Sequence, residues 1–346
     1  MEHLIPDSLF DSVSTPLLVG LAVVGLVVLS KGADWLVESA TDLALRAGLP
    51  KVVIGATLLS LGTTAPECAV SVMAAVDGNP GLALGNAVGS VIFDTAVIFG
   101  LLSMFTRLPA DRFILSRQGW WQFGSGVTLA VLAYGLFAAD RVNPVIPRWG
   151  GLLLLAGLAA YMLLSIRWAK QHPERGVQAM AEDAAAETDT IGASVFWLTL
   201  GLMLVLVAGR VTVGAVSEGA ARAGVPDVVI AGTFVAFGTS LPELIVGITA
   251  VRRGHGEILV GNVIGADVLN VLFVVGAAAT ASPLPILQEV APRDVFLTTS
   301  LPAMLATLVY FRLCISRAVR TGSFDRWMGA PLLVVYLLFT VFQFIR

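Results

Sequence analysis

Gly62-Thr63-Thr64-Ala65-Pro66-Glu67 is answered 176 residues later by Gly238-Thr239-Ser240-Leu241-Pro242-Glu243. The correspondence spreads outward from these hexapeptides without a gap. Upstream, Arg46-Ala47-Gly48-Leu49-Pro50 falls on Arg222-Ala223-Gly224-Val225-Pro226. Downstream, Gly85-Asn86-Ala87-Val88-Gly89 falls on Gly261-Asn262-Val263-Ile264-Gly265, and Gly100 falls on Gly276. An internal repeat of this kind decides the architecture before any single element is read.

The repeat lies in an apolar chain. Of 346 residues, 57% are hydrophobic and 13% charged, and mean hydropathy is +0.87. Soluble domains carry about 25% charged residues, so most of this chain has no water to face. The apolar residues fall in runs of about 20, the length that crosses a hydrocarbon core. Ten spans are expected, at 15–45, 50–76, 81–105, 118–138, 148–168, 193–221, 226–251, 257–280, 294–313 and 327–345. The first and sixth are long enough that their polar C-terminal turns leave the lipid. Glu2, Asp7 and Asp11 precede the first apolar run, where a secretory signal would carry positive charge, so it reads as a transmembrane helix. The net charge of −3 points away from nucleic acid. Cys68 and Cys314 are isolated in apolar segments and read as fillers.

Basic residues give the orientation. With the N-terminus outside, inner segments hold 14 Lys and Arg and outer segments 5, while Lys31 and Arg210 lie within spans. Both termini then face out of a plasma (inner) membrane. The division is 1–168 (motif region 55–100), a cytoplasmic linker at 169–192, and 193–346 (motif region 231–276). Five spans per half is an odd number, so the halves are upside-down relative to each other. The fold class expected is an all-α membrane protein of ten helices in two inverted five-helix repeats, a layout of secondary transporters.

Glu67 and Glu243 sit mid-span at equivalent positions. A carboxylate at the bilayer centre costs at least ~2.5 kcal/mol, so two at matched positions are not incidental. Brought together they repel, and one stays protonated unless a cation lies between them. Pro66 and Pro242 lack an N–H and free the carbonyls of Gly62 and Gly238. Ca2+ takes six to eight oxygens from carboxylates, carbonyls and similar groups, and the motif supplies these together with the hydroxyls of Thr63, Thr64, Thr239 and Ser240. Asn86, Ser90 and Asp94 share one helix face, as do Asn262, Ala266 and Asn270. Asp94 is a third buried acid needing a partner. Lys31 and Asp34, three apart on a helix, are placed to pair, and Arg210 is the repeat counterpart of Asp34. These three are assigned a structural or gating role. Asp267 is polar but turned about 100° from the Ala266 face. His255 is expected in a solvated inner loop. No Ser-His-Asp or H-E-x-x-H set is present, so no enzyme is expected.

At Gly62 to Glu67 with Gly85 to Asp94, and at Gly238 to Glu243 with Gly261 to Asn270, the chain resembles the sodium/calcium exchanger family of the cation/calcium antiporter superfamily. The resemblance is to the bacterial and archaeal type, without a large regulatory loop. It implies a Ca2+ site from Glu67 and Glu243 with the carbonyls of Thr63 and Thr239. It implies Na+ or H+ sites lined by the hydroxyls of Thr64, Ser240 and Ser90 and the carbonyls of Ser60 and Ala236, with Asp94 and Asn270 in the cavity wall. It implies that the first and sixth spans slide past a rigid core. Two departures stand out. Ala266 occupies a position usually bearing a hydroxyl, and Asp94 with Asn270 reverses the usual Asn/Asp order. Exchange of Ca2+ for Na+ is the first expectation and Ca2+/H+ antiport the alternative, with a cation channel more distant. No cofactor is expected beyond the transported ions. The partner is the lipid bilayer, and the oligomeric state is left open, a monomer included.

Overall fold

The computed structural model describes residues 10, 12–46, 51–171, 191–222, 239–287 and 295–345. Within them the apolar runs form α1 (Thr15–Arg46), α2 (Lys51–Thr63), α3 (Ala65–Val76), α4 (Pro80–Phe105), α5 (Ile114–Ala139) and α6 (Arg148–Gln171). The second half supplies α7 (Ile191–Arg222), α8 (Leu241–Arg252), α9 (Gly256–Ala281), α10 (Phe296–Thr321) and α11 (Gly329–Ile345). Seven of these are long and apolar enough to cross a membrane, or eight when α2 and α3 count as one span bent by 44°. α11, at 17 residues, is shorter, and most of the stretch 226–240 of the expected seventh span lies outside the described residues. So does the linker from 172 to 190, while α6 runs on to Gln171.

The 176-residue offset holds in three dimensions. It carries α1 onto α7, both 32 residues long, α3 onto α8, both 12, and α4 onto α9. Even a local defect is repeated. The backbone widens to i→i+5 bonding at Asp94–Phe99 in α4 and at Asn270–Val275 in α9, a feature often found at functional sites.

Close contacts recur in reciprocal pairs, as a twofold axis requires. A Cβ on Gly25 would strike Thr212 and crowd the Ala208 carbonyl, while a Cβ on Gly201 would strike the Gly32 carbonyl and Leu36. Gly25 and Gly201 are repeat counterparts, as are Gly32 with Ala208 and Leu36 with Thr212. Small residues thus let α1 and α7 lie backbone to backbone. The halves also interlock through two short antiparallel ladders. β1 (Leu108–Pro109) pairs with β4 (Ser323–Phe324), and β2 (Val145–Ile146) pairs with β3 (Leu284–Pro285). Each ladder joins one strand from each half.

Burial separates a core from a shell. The most apolar window of α9 is 94% buried and that of α4 72%, against 28% for α1, α6 and α7. Exposed Leu17, Val23, Val24 and Val27 on α1 give it a lipid-facing side. α9 approaches α2 so closely that a Cβ on Gly261 would overlap the Val52 carbonyl, and one on Gly265 would overlap Ser60 Oγ. That contact positions the site.

Candidate ion-binding site

At the first motif the helix bends by 44° between α2 and α3, where the sequence says it should, and at the second α8 starts at Leu241. Thr64 (φ −81, ψ −2) caps α3, with Pro66 in the first turn, and Ser240 (φ −90, ψ 7) caps α8, with Pro242 likewise. Glu67 and Glu243 therefore stand in the first turns of two buried helices, where the helix dipole favours negative charge. Both carboxylates are 1% exposed, and among the described residues all four of their oxygens lack a hydrogen-bond partner.

The neighbours are oxygen-rich and cross between halves. Thr63 and Thr64, of the first half, turn their hydroxyls toward Glu243 without completing either carboxylate oxygen. Ser240, of the second half, faces Asp94, and Glu67 lies within electrostatic reach of Glu243 and Asp94. Asn270 Nδ2 donates to Asp94 Oδ2 at 3.5 Å, while Asp94 Oδ1, Asn270 Oδ1, Thr64 Oγ1 and Ser240 Oγ have no partner among the described residues. A buried polar group left unpaired costs about 1–3 kcal/mol, and a charged one more. Such a cluster is tolerable only with a cation or protons among its oxygens. Among the described residues no three His, Cys, Asp or Glu side chains converge as a ready-made metal cage. The donor set of separated carboxylates, hydroxyls and main-chain carbonyls suits a hard cation such as Ca2+ or Na+ rather than a thiolate or imidazole metal.

The other expected residues divide. Ser60 is fully buried. Its hydroxyl donates to the carbonyls of Gly55 at 2.6 Å and Asn262 at 3.0 Å, tying α2 to α9. Its carbonyl accepts Thr64 N–H at 2.8 Å and Thr63 Oγ1 at 3.4 Å. Ser90 is buried on α4, and Thr239 lies beside the α8 cap. Asn86 Nδ2 donates to the Glu67 carbonyl at 3.3 Å and to Ser71 Oγ at 3.0 Å, holding α3 against α4. Ala236 and Gly238 lie outside the described residues.

Three readings change. Asp34 does not pair with Lys31. It takes Arg253 Nε at 3.1 Å, while Lys31 Nζ stands 5.7 Å from the centre of the Trp35 ring. His255 is half-buried, not solvated, with Nδ1 3.2 Å from Lys51 Nζ. Asp267 is a fourth buried acid with an anchored place. Its Oδ2 accepts from Thr95 Oγ1 and from Gln122 Nε2, the latter at 2.5 Å, and its Oδ1 has no partner among the described residues. Gln122 was not singled out from the sequence. The signal was there, because Gln118, Gln122 and Ser125 form a polar stripe at helical spacing on α5, and all three are buried.

Fold and site together define a multi-pass membrane protein whose dry interior calls for cations. Known proteins agree. The sequence profile described as "Sodium/calcium exchanger protein" matches residues 17–167 and 193–345. The sodium/calcium exchanger MaX1 of Methanosarcina acetivorans is 30% identical over 94% of this chain and 97% of its own length. The inner membrane protein YrbG of Escherichia coli is 29% identical over 91% and 98%. The sodium-calcium exchanger NCX_Mj, in a structure soaked with Na+ and Sr2+, superposes with a TM-score of 0.77 at 26% identity, covering 94% of this chain and 98% of that one. The chain belongs to the sodium/calcium exchanger family and is a cation/calcium antiporter.

Proposed function

We propose that the protein exchanges Ca2+ for Na+ by alternating access. Ca2+ is held between Glu67 and Glu243, with the carbonyls of Thr63 and Thr239 completing part of its shell. Na+ takes the flanking positions lined by Thr64, Ser240, Ser90, Asp94, Asn270 and the carbonyls of Ser60 and Ala236. The observation that carries this reading is the set of four dry carboxylate oxygens with no hydrogen-bond partner among the described residues. One divalent cation resolves the repulsion and the missing bonds together. In this reading the chain has ten spans in two inverted five-span halves, 1–168 and 193–346, with both termini outside. The gap in the family match between 167 and 193 supports a linker there.

A Ca2+/H+ exchange reading is favoured by two features of this chain. Ala266, fully buried, offers no hydroxyl where its repeat counterpart Ser90 does, and Asp94 and Asn270 carry the third acid in the first half. The deciding measurement is Ca2+ uptake into inside-out vesicles under an imposed Na+ gradient or an imposed pH gradient. Uptake driven by Na+ alone supports the first reading, uptake driven only by pH replaces it with the second, and single-channel currents without a counter-ion overturn both. Ala266→Ser restores a hydroxyl and should steepen the Na+ dependence of uptake. An unchanged Na+ response would mean that this position lines no Na+ site.

A further inference from the structure

Two turns of the chain are backbone copies carrying opposite charge. Asp77-Gly78-Asn79 joins α3 to α4, and Arg253-Gly254-His255 joins α8 to α9 at the same offset. Asp77 (φ −77, ψ 3) matches Arg253 (φ −85, ψ 1), and Gly78 (φ 79) matches Gly254 (φ 77). Asn79 N bonds Ala74 O at 2.7 Å, as His255 N bonds Ala250 O at 2.8 Å. Only glycine readily takes the positive φ, so the copies are enforced locally.

The long helices beside these turns carry the complementary charges. Arg253 Nε meets Asp34 Oδ1 of α1 at 3.1 Å, and Nη1 meets Glu38 Oε2 at 3.2 Å. The counterpart of Asp34 on α7 is Arg210, which is half-buried. The Arg253–Asp34 pair therefore has a charge-reversed image, Asp77–Arg210, at matched backbone positions. Arg253 is paired with α1, whereas Asp77 is exposed and makes no ion pair among the described residues.

Glycine contacts weld α1 to α7, and under the alternating-access reading above the two helices would shift as a pair against the core. Under a twofold axis lying in the membrane, a shift that opens one end of the pair's contact with the core closes the other. From this we infer that the two ion pairs are alternating latches: Arg253 with Asp34 and Glu38 holds the arrangement described here, and Asp77 with Arg210 holds the opposite one. This rests on the alternating-access reading above. Partly exposed pairs bias an equilibrium by only about 1.5- to fivefold, and a cycle that must leave both end states needs latches that weak. The ends are unequal, because Gly214 stands where the counterpart of Glu38 would be. The Arg253 end is the stronger latch and favours the resting state.

The test uses the full-length protein in membranes. Cys68 and Cys314 are free and buried and are replaced by Ala. Asp77→Cys and Arg210→Cys are then combined and exposed to a bifunctional methanethiosulfonate. Slow cross-linking is expected, accelerated about two- to fivefold by Arg253→Gln and equally by Asp34→Asn, which break the same pair. These positions are at least partly exposed, so folding is not at stake. No cross-link in any background, or a rate that neither variant changes, overturns the latch. The reaction needs no ion gradient, so it is independent of the vesicle assay: absence of Ca2+ flux with accelerated cross-linking removes the exchange reading and keeps the latch.

Discussion

Asn270 donates to Asp94 across the repeat: the two side chains stand 3.5 Å apart, and each is the other's counterpart at an offset of 176. Both open the widened stretches of their helices. Because the two side chains meet, an acid at either position stands at the same point between the halves. Asp94→Asn removes the charge and should weaken monovalent coupling. Loss of a hydrogen bond to a charged group is worth ~1.5–3 kcal/mol, or about 10- to 150-fold in the ion dependence of flux. Asp94→Asn combined with Asn270→Asp returns the acid to the same place. That double variant should recover most of the loss in vesicle uptake. Recovery no better than the single variant would separate the two residues functionally.

Glu67→Gln and Glu243→Gln should each abolish Ca2+ transport while leaving the fold intact. Each removes a dry carboxylate without changing side-chain volume, so the apo protein loses a repulsion and no packing. Ligand binding raises stability by RT ln(1 + [L]/Kd), ~2.7 kcal/mol at a hundredfold excess over Kd. Wild type should show a Ca2+-dependent rise in Tm, and both variants an apo Tm at least as high with no rise. A variant that keeps the Ca2+ shift would place the ion elsewhere.

Much of this was written in residue order. The 15–45 span is α1 at Thr15–Arg46, because Pro16 sits in its first turn, where Pro is tolerated, and no Pro follows. The break before Glu67 follows from Pro66, which has no N–H. Tertiary pairing is what the sequence withheld. Asp34 had a cation three residues away on its own helix, yet pairs with Arg253, more than two hundred residues distant. Asp267 has Val91 as its counterpart, so comparing the halves gave it no twin, and only the packing of α4, α5 and α9 delivers Thr95 and Gln122 to it. The widening at Asp94 and Asn270 has no local signature at all.

Asp267 anchors three helices, so its variants should sort by hydrogen bonding. Asp267→Asn keeps an oxygen to accept from Thr95 and Gln122, while Asp267→Ala leaves both donors buried and unpaired. The second should lower stability by ~1–3 kcal/mol, plus the cost of the cavity, and the first much less. Thermal unfolding in detergent reads the difference. Equal losses would mean that the charge, not the bonding, is what the core requires. Gln122→Leu should fall between them, since it removes one donor and keeps the volume.

His255 sets a pH dependence whose sign follows from its surroundings. Burial, then the positive charges of Lys51 and Arg253, hold its imidazole below the ordinary histidine value of 6.5. The folded protein gives up a proton that the unfolded chain keeps. Stability from this site is therefore complete above about pH 6.5 and drains away as pH falls through the folded value. The geometry gives the reason. Neutral Nδ1 can accept from the Lys51 ammonium 3.2 Å away, whereas a protonated ring would set two cations in contact. His255→Gln should flatten the fall in Tm between about pH 7 and pH 5, the window in which histidine titrates. Lys51→Met removes one of the two repelling cations, so the His255 ring resonance should titrate at a higher pH than in wild type. A titration that Lys51→Met leaves in place would assign the depression to burial and Arg253 alone.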